Sequence, residues 1–305
     1  MVRRTPLQAS DWLSERAGCE VLLKLECWQR TGSFKLRGAY NAVAALTESE
    51  RARGLVTASA GNHGQAVALA ARAHGTAAVV FVPADAPTTK KSRIAGYGAE
   101  LRAIDGTYDD AAVAATGHAK ETGGYYLHPF ADPLVVAGQG TVGLEVLEDR
   151  PDVRTVVVPV GGGGLLAGVG VAMRALAGDR ARIWGVQSSA TRAMHAAFEH
   201  DAVIETRLEP SLCDGLAGEV EPVSYGRARI VADGVRLVDE SRIAPTIREL
   251  FQREGVVAEG AGATGVAAVL DGAVELEGPA VVVVSGGNID GATLGRILTG
   301  AEWHT

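Results

Sequence analysis

Lys35 stands in the run Gly32-Ser33-Phe34-Lys35-Leu36-Arg37-Gly38-Ala39. Ser33 is a good N-cap for the helix that the following residues would form, and Lys35 then falls in the first turn. A cation there opposes the helix dipole by about 0.3–1 kcal/mol. Taken alone, such a lysine reads better as an exposed side chain that tolerates the misplacement. The sharper alternative is an amine whose charged form is disfavoured and which can condense with a carbonyl compound as a Schiff base.

Three glycine-rich runs accompany it. Ser59-Ala60-Gly61-Asn62-His63-Gly64-Gln65-Ala66 follows a short apolar stretch and opens an alanine-rich one. Backbone N–H groups and small polar side chains at a helix start suit a carboxylate, although an ordinary strand-to-helix turn has the same outline. Pro159-Val160-Gly161-Gly162-Gly163-Gly164-Leu165 carries four successive glycines between a strand pattern and a helix pattern. Unpaired N–H groups without an obstructing Cβ make a phosphate site. The run is not G-x-G-x-x-G, since position 166 is Leu, and the next strand ends in Val186-Gln187 with no acid suited to a ribose. One phosphate therefore fits better than a dinucleotide. Ser285-Gly286-Gly287-Asn288 follows a strand pattern and by itself is a turn of low specificity.

The elements that would position these residues follow from periodicity. Short, continuous β-branched or apolar runs occur at Glu20–Trp28, Leu55–Ala58, Ala77–Val82, Thr155–Val160, Arg182–Val186 and Ala280–Val284. Runs of this kind suit strands covered on both faces, as in parallel sheets. Between them lie stretches of helical length at Ser33–Leu46, Asn62–His74, Leu165–Leu176 and Ser241–Arg253. The alternation predicts right-handed βαβ units and an α/β, doubly wound fold.

Composition narrows the class. The 305 residues are 47% hydrophobic and 21% charged, with a formal net charge of −7. That is enough apolar material for one large or two moderate cores. No basic block is available to neutralise phosphates, which argues against a nucleic-acid partner. No uninterrupted run of about 18 apolar residues predicts a membrane span, and Arg3-Arg4 leads into Thr5-Pro6 and not into a signal-type apolar stretch. Cys19, Cys27 and Cys213 are too few and too scattered for a disulfide framework or zinc site, which points to a reducing cytoplasm.

The motifs S-F-K-x-R-G-A, S-A-G-N-H-G-Q, P-V-G-G-G-G-L and S-G-G-N occur in one order across most of the chain. Together they resemble the fold type II pyridoxal-phosphate enzymes, in the threonine/serine dehydratase and serine racemase branch. The resemblance implies a tryptophan synthase β-like fold of two doubly wound lobes. It maps the large, cofactor-binding domain to 1–45 and 132–305, and a small inserted domain to 46–131. It implies pyridoxal 5'-phosphate as cofactor, with Lys35 forming the Schiff base and acting as the base at Cα. Gly161, Gly162, Gly163, Gly164 and Leu165 would hold the phosphate. Ser59, Ala60, Gly61, Asn62 and His63 would cradle the substrate carboxylate, with Asn62 also near the 3-oxygen of the cofactor. Ser285 would face the pyridine nitrogen and Phe34 the ring. Glu259 matches a family glutamate near the ring, and reads equally well as a helix-capping acid. Cys213 stands where the family has Ala and reads as a packed thiol.

Three departures divide the branches. In serine racemase the position of Ala60 is a serine that serves as the second acid/base, and racemisation needs one such group on each face. The racemase also has Asn where this chain has Phe130. The racemase-like branch binds a divalent cation through carboxylates in the segment that here reads Gln187-Ser188-Ser189-Ala190-Thr191-Arg192-Ala193. A hard dication wants charged oxygen ligands, so no metal site is expected there. A monovalent cation bound by carbonyls stays open. The expected activity is β-elimination from L-threonine or L-serine to a 2-oxo acid and ammonia. Alternatives are a dehydratase for 3-hydroxyaspartate or phenylserine, a serine racemase, a β-replacement synthase, or a non-catalytic phosphate-ligand or dinucleotide-binding protein. A homodimer is the family's habit. The short tail after Ser285 carries no regulatory domain, so feedback control through one is not expected.

Overall fold

The computed structural model describes residues 2–301. The strands are Leu7–Ala9 (β1), Val21–Leu25 (β2), Leu55–Ala58 (β3), Ala78–Pro83 (β4), Glu100–Ile104 (β5), Tyr125–Tyr126 (β6), Thr155–Pro159 (β7), Arg182–Ser188 (β8), Gly234–Val238 (β9) and Ala280–Val284 (β10). The helices are Asp11–Ala17 (α1), Lys35–Ala45 (α2), Glu48–Ala52 (α3), Asn62–Ala73 (α4), Thr88–Gly96 (α5), Tyr108–Thr122 (α6), Pro133–Asp149 (α7), Gly164–Ala177 (α8), Ala193–His200 (α9), Pro222–Val231 (α10), Ile243–Glu254 (α11), Gly260–Leu270 (α12) and Gly291–Thr299 (α13).

The chain divides into two compact units. One contains the N-terminal residues up to Arg3 and Phe34–Gln139; the other contains Arg4–Ser33 and the chain from Gly140 onward. The first is built on a four-stranded sheet in the order β5-β4-β3-β6, with every pairing parallel. Central β3 is buried at all four residues, whereas edge strand β5 is half-exposed and carries Glu100 and Arg102. Charge on an edge discourages further strand pairing. Alanine-rich α4 packs on α2 in this unit, and their small residues fill its core with Leu36, Val43, Leu55, Val67 and Val80.

The second unit holds a six-stranded sheet in the order β1-β2-β10-β7-β8-β9. Its pairings are parallel apart from β1 against β2, which are antiparallel. Strands β2, β7 and β10 are buried at every residue, as expected of strands covered on both faces. Helix α12 is apolar around almost its whole circumference and is buried among Val157, Val266, Val282 and their neighbours.

Two local expectations are corrected. The first strand pattern ends at Leu25, and Glu26–Trp28 form a 3-10 turn. Ser33 does not cap α2: the helix begins at Lys35, the N-cap position is Phe34 in a right-handed helical conformation, and no side-chain cap bond forms. The Ser33 hydroxyl, freed from capping, is buried and has no hydrogen-bond partner. Its backbone instead pairs with Gly286 in an isolated antiparallel bridge, which holds it in an extended segment outside the helix.

Candidate active site

In the unit built on β3, Lys35 is the first residue of α2 and Asn62 the first residue of α4. The Lys35 Nζ donates to the Pro129 carbonyl at 2.9 Å and lies 5.3 Å from the centre of the Phe34 ring. The segment that accepts this bond is itself braced. The Leu127 carbonyl accepts from Thr57 Oγ1 at 2.9 Å and lies 3.0 Å from His63 Nε2. His128 Nδ1 accepts from the Ala131 N–H at 3.0 Å. Burial pushes His63 far down, to about 3, and the Lys35 ammonium and His128 add to the effect. His63 is therefore neutral at working pH. Its Nε2–H donates to Leu127, which leaves Nδ1 as a buried acceptor without a partner.

The residues before α4 form an open turn. Ser59 Oγ accepts from the Gly61 N–H at 3.2 Å, and Gly61, the N-cap, offers no side chain to the first N–H groups of the helix. Ser59, Ala60, Gly61 and Asn62 are partly exposed, while His63 is buried. A carboxylate or other anion is what such a helix start accommodates.

In the other unit, Gly161–Gly164 connect β7 to the fourteen-residue helix α8. No side chain caps α8, and its N-cap Gly163 has φ +88°. A Cβ at Gly163 would be strained by that backbone angle and would stand 2.8 Å from Met194 Cε. The loop is held from behind by Gln187, which is fully buried in β8. Its Nε2 donates to the Val160 carbonyl at 3.0 Å and its Oε1 accepts from the His195 N–H of α9 at 2.8 Å. Both functions of the amide are thus occupied by backbone, in the segment where the racemase-like branch binds its cation. Among the described residues no cluster of three or more His, Cys, Asp or Glu side chains could hold a metal ion.

The turn after β10 is docked on the segment that leads into Phe34 and Lys35 along the chain. Asn288 Nδ2 donates to the Thr31 carbonyl at 2.7 Å and the Gly287 N–H to the Gly32 carbonyl at 2.9 Å. Ser285 is buried and makes only a long bond, 3.4 Å, to the Ala261 carbonyl. Glu259 occupies the N-cap position of α12, yet its side chain makes no cap bond. Its carboxylate lies against Gly286, where a Cβ would collide with Oε1. Of its two readings, capping is thereby removed. Cys213 is fully buried beside Thr264, with its thiol pushed up to about 12 chiefly by burial, so it is a packed, unreactive thiol.

The donor set suits a phosphorylated aldehyde. One unit carries an uncapped helix start on a glycine loop, of a chemistry that suits a phosphate, and a buried, weakly bonded hydroxyl at Ser285 of a kind that suits a ring nitrogen; the other carries a lysine amine of a kind that suits the aldehyde. Residue patterns singled out the ends of this set but not its supports. Pro129 and Leu127 act through carbonyls and carry no side-chain signal. Gln187 had one: it is the polar residue that interrupts an apolar strand run.

Comparison with known proteins gives the same picture. Residues 1–286 match the family described as pyridoxal-phosphate dependent enzyme. The L-threonine ammonia-lyase of Thermotoga maritima is 44% identical over 300 residues, which is 98% of this chain and 74% of that protein. A threonine deaminase from T.th. superposes with a TM-score of 0.88 at 37% identity, over 95% of this chain and 94% of that one. Maize serine racemase superposes with a TM-score of 0.92 at 31% identity, over 98% and 92% of the two chains.

Proposed function

The chain belongs to the pyridoxal-phosphate dependent enzymes, and from that membership we propose that it eliminates the β-hydroxyl of L-threonine or L-serine. The substrate loses its hydroxyl and Cα proton as water, and water then hydrolyses the enamine product to a 2-oxo acid and ammonia. The names of the relatives support this reading. The observation that carries elimination over racemisation is Ala60, a methyl where a second acid/base would have to stand.

Bound, the cofactor supplies an aldehyde for the amine of Lys35 and an electron-withdrawing ring. Lys35 would hold that carbon, and its amine would take the Cα proton of the substrate. Its hydrogen bond to Pro129 orients the amine while it waits. Backbone N–H groups from Ser59 to His63 would hold the substrate carboxylate, with His63 neutral beside them. Asn62 would bond the ring oxygen, Phe34 would cover the ring, and Gly161–Leu165 would hold the phosphate. Ser285 would offer the ring nitrogen a neutral hydroxyl; lacking a carboxylate's charge, it would leave the ring a weaker electron sink, which would favour prompt loss of the β-group. Glu259 would lie beside the ring.

A panel of β-hydroxy-amino acids in both enantiomers, assayed for 2-oxo acid and ammonia, tests the assignment. We expect L-threonine and L-serine to lead 3-hydroxyaspartate and phenylserine. D-serine forming faster than pyruvate would overturn elimination in favour of the racemase. Reconstituted wild type should show a visible band and a borohydride-trapped adduct at Lys35, both lost in Lys35→Ala. The reading extends to a cytoplasmic homodimer, in keeping with free cysteines at 19, 27 and 213. It also extends to a small domain at 46–131 inserted between 1–45 and 132–305, whereas contacts group 34–45 and 132–139, with the residues up to Arg3, in the same compact unit as 46–131. Limited proteolysis checks that boundary.

A further inference from the structure

One buried hydroxyl beside the glycine loop has no assigned role. Ser224 is the third residue of the ten-residue helix α10, 2% exposed, and its Oγ has no hydrogen-bond partner. Serine inside a helix commonly bonds a carbonyl one turn back; here that bond is not made. The residue borders the turn that starts α8. A Cβ on Gly163 would lie 3.7 Å from Ser224 Cβ and 3.6 Å from its carbonyl oxygen, with Met194 Cε on the same side. Met194 is fully buried, so this side of the loop is packed. A buried hydroxyl without a partner destabilises the protein that carries it. A phosphate monoester has three terminal oxygens and can accept more hydrogen bonds than the loop N–H groups alone supply.

We propose that the Ser224 hydroxyl is a further donor to the phosphate monoester held by Gly161–Leu165, a side-chain contact added to a backbone cradle. This rests on the reading of that loop given above. Of the side chains nearest a Cβ at Gly163, Met194 is apolar, which leaves the Ser224 hydroxyl as the polar group beside the loop. The hydroxyl would distinguish a phosphorylated ligand from its dephosphorylated form and would leave the aldehyde chemistry at Lys35 untouched.

The test compares wild type with Ser224→Ala, Ser224→Thr and Ser224→Cys as apo-proteins titrated with pyridoxal 5'-phosphate and, separately, with pyridoxal, which keeps the aldehyde and lacks the phosphate. Dissociation constants are read from the visible band, or from borohydride-trapped adduct where binding is weak. Ser224→Ala should weaken pyridoxal 5'-phosphate binding by about 10-fold or more, the loss of one hydrogen bond to a charged group. Pyridoxal binding should stay within about 2-fold, and threonine should restore wild-type affinity. If the alanine variant does not fold, the cysteine variant, a poor donor of similar shape, should show the same phosphate-selective loss. Unchanged affinity would mean that water satisfies the hydroxyl, and equal weakening of both ligands would mean packing alone; either overturns the proposal. A wild type that gives no band with either ligand overturns the reading of the site as well, and the two failures are thereby distinguished.

Discussion

His63 is a buried side chain that stays uncharged. Its ring is buried, its Nε2–H is committed to the Leu127 carbonyl, and its value has fallen to about 3. The folded state therefore resists a proton that the unfolded chain accepts near pH 6.5. Between those values the unfolded state binds more protons, so stability is full above about pH 6.5 and is lost as pH falls towards 3, at up to about 1.4 kcal/mol per pH unit. His63→Gln should flatten that slope in chemical denaturation between pH 6.5 and 5. The methyl of Ala60 is the complementary case, because it removes a function. Ala60→Ser restores a hydroxyl at that position, and chiral chromatography should detect D-serine formed from L-serine, a product that wild type does not accumulate.

At the scale of elements, the glycine loop depends on β8 as much as on its own residues. Gln187 joins the Val160 carbonyl to the His195 N–H, so the end of β7 and the first turn of α9 share one amide. Gln187→Ala leaves a buried carbonyl and a buried N–H facing a cavity, and should lower stability by about 2–4 kcal/mol in denaturant titration of the apo-protein. Gln187→Glu keeps the acceptor for His195 but sets a carboxylate against the Val160 carbonyl. It should weaken cofactor binding more than Gln187→Met, which is apolar there, weakens it; equal loss would show that the strand tolerates either side chain. Gly163→Ala meets both a left-handed φ and Met194 Cε. We expect a loss of at least about 1–2 kcal/mol and a matching loss of phosphate-dependent affinity, read by thermal melting with and without cofactor.

At the scale of the whole molecule, one buried charge is bonded on two sides. Lys24 is completely inaccessible; its Nζ donates to the Thr5 carbonyl at 2.7 Å and pairs with Glu145 at 2.5 Å. Thr5 Oγ1 in turn donates to buried Glu26 at 2.5 Å. The N-terminal segment is thereby tied to β2 and α7, with Arg4 paired to Glu148 and Asp149 farther out. Removing one member of a buried pair strands its partner's charge, so Lys24→Ala should cost about 3–5 kcal/mol in urea unfolding. No described helix is long and apolar enough to cross a membrane.

Much of the fold could be read locally because parallel strands buried on both faces are continuous apolar runs. Leu55–Ala58 and Ala280–Val284 are strands with the expected ends, and Lys35 lies in the first turn of α2 as expected. Elements without a periodic signal escaped notice. Helix α12, GAGATGVAAVL, is apolar on every side because it is wholly enclosed, and β6 is two residues long. Ser33 looked like a cap because its residue type favours one; its bridge to Gly286, which is 253 positions away in sequence, holds it extended instead.

The amino-acid order by itself determined which groups are available: one amine at a helix start, a four-glycine loop, a methyl at position 60 and no acid on the strand end at 187. These are properties of residue type and near neighbours, and short-range spacing expresses them. Tertiary structure alone decided what holds them. The carbonyls of Leu127 and Pro129 and the amide of Gln187 find their partners on segments remote in sequence, and the hydroxyls of Ser33 and Ser224 are buried without any. A hydrogen bond or an orphaned polar atom is a relation between two places in space, and no window along the chain contains both.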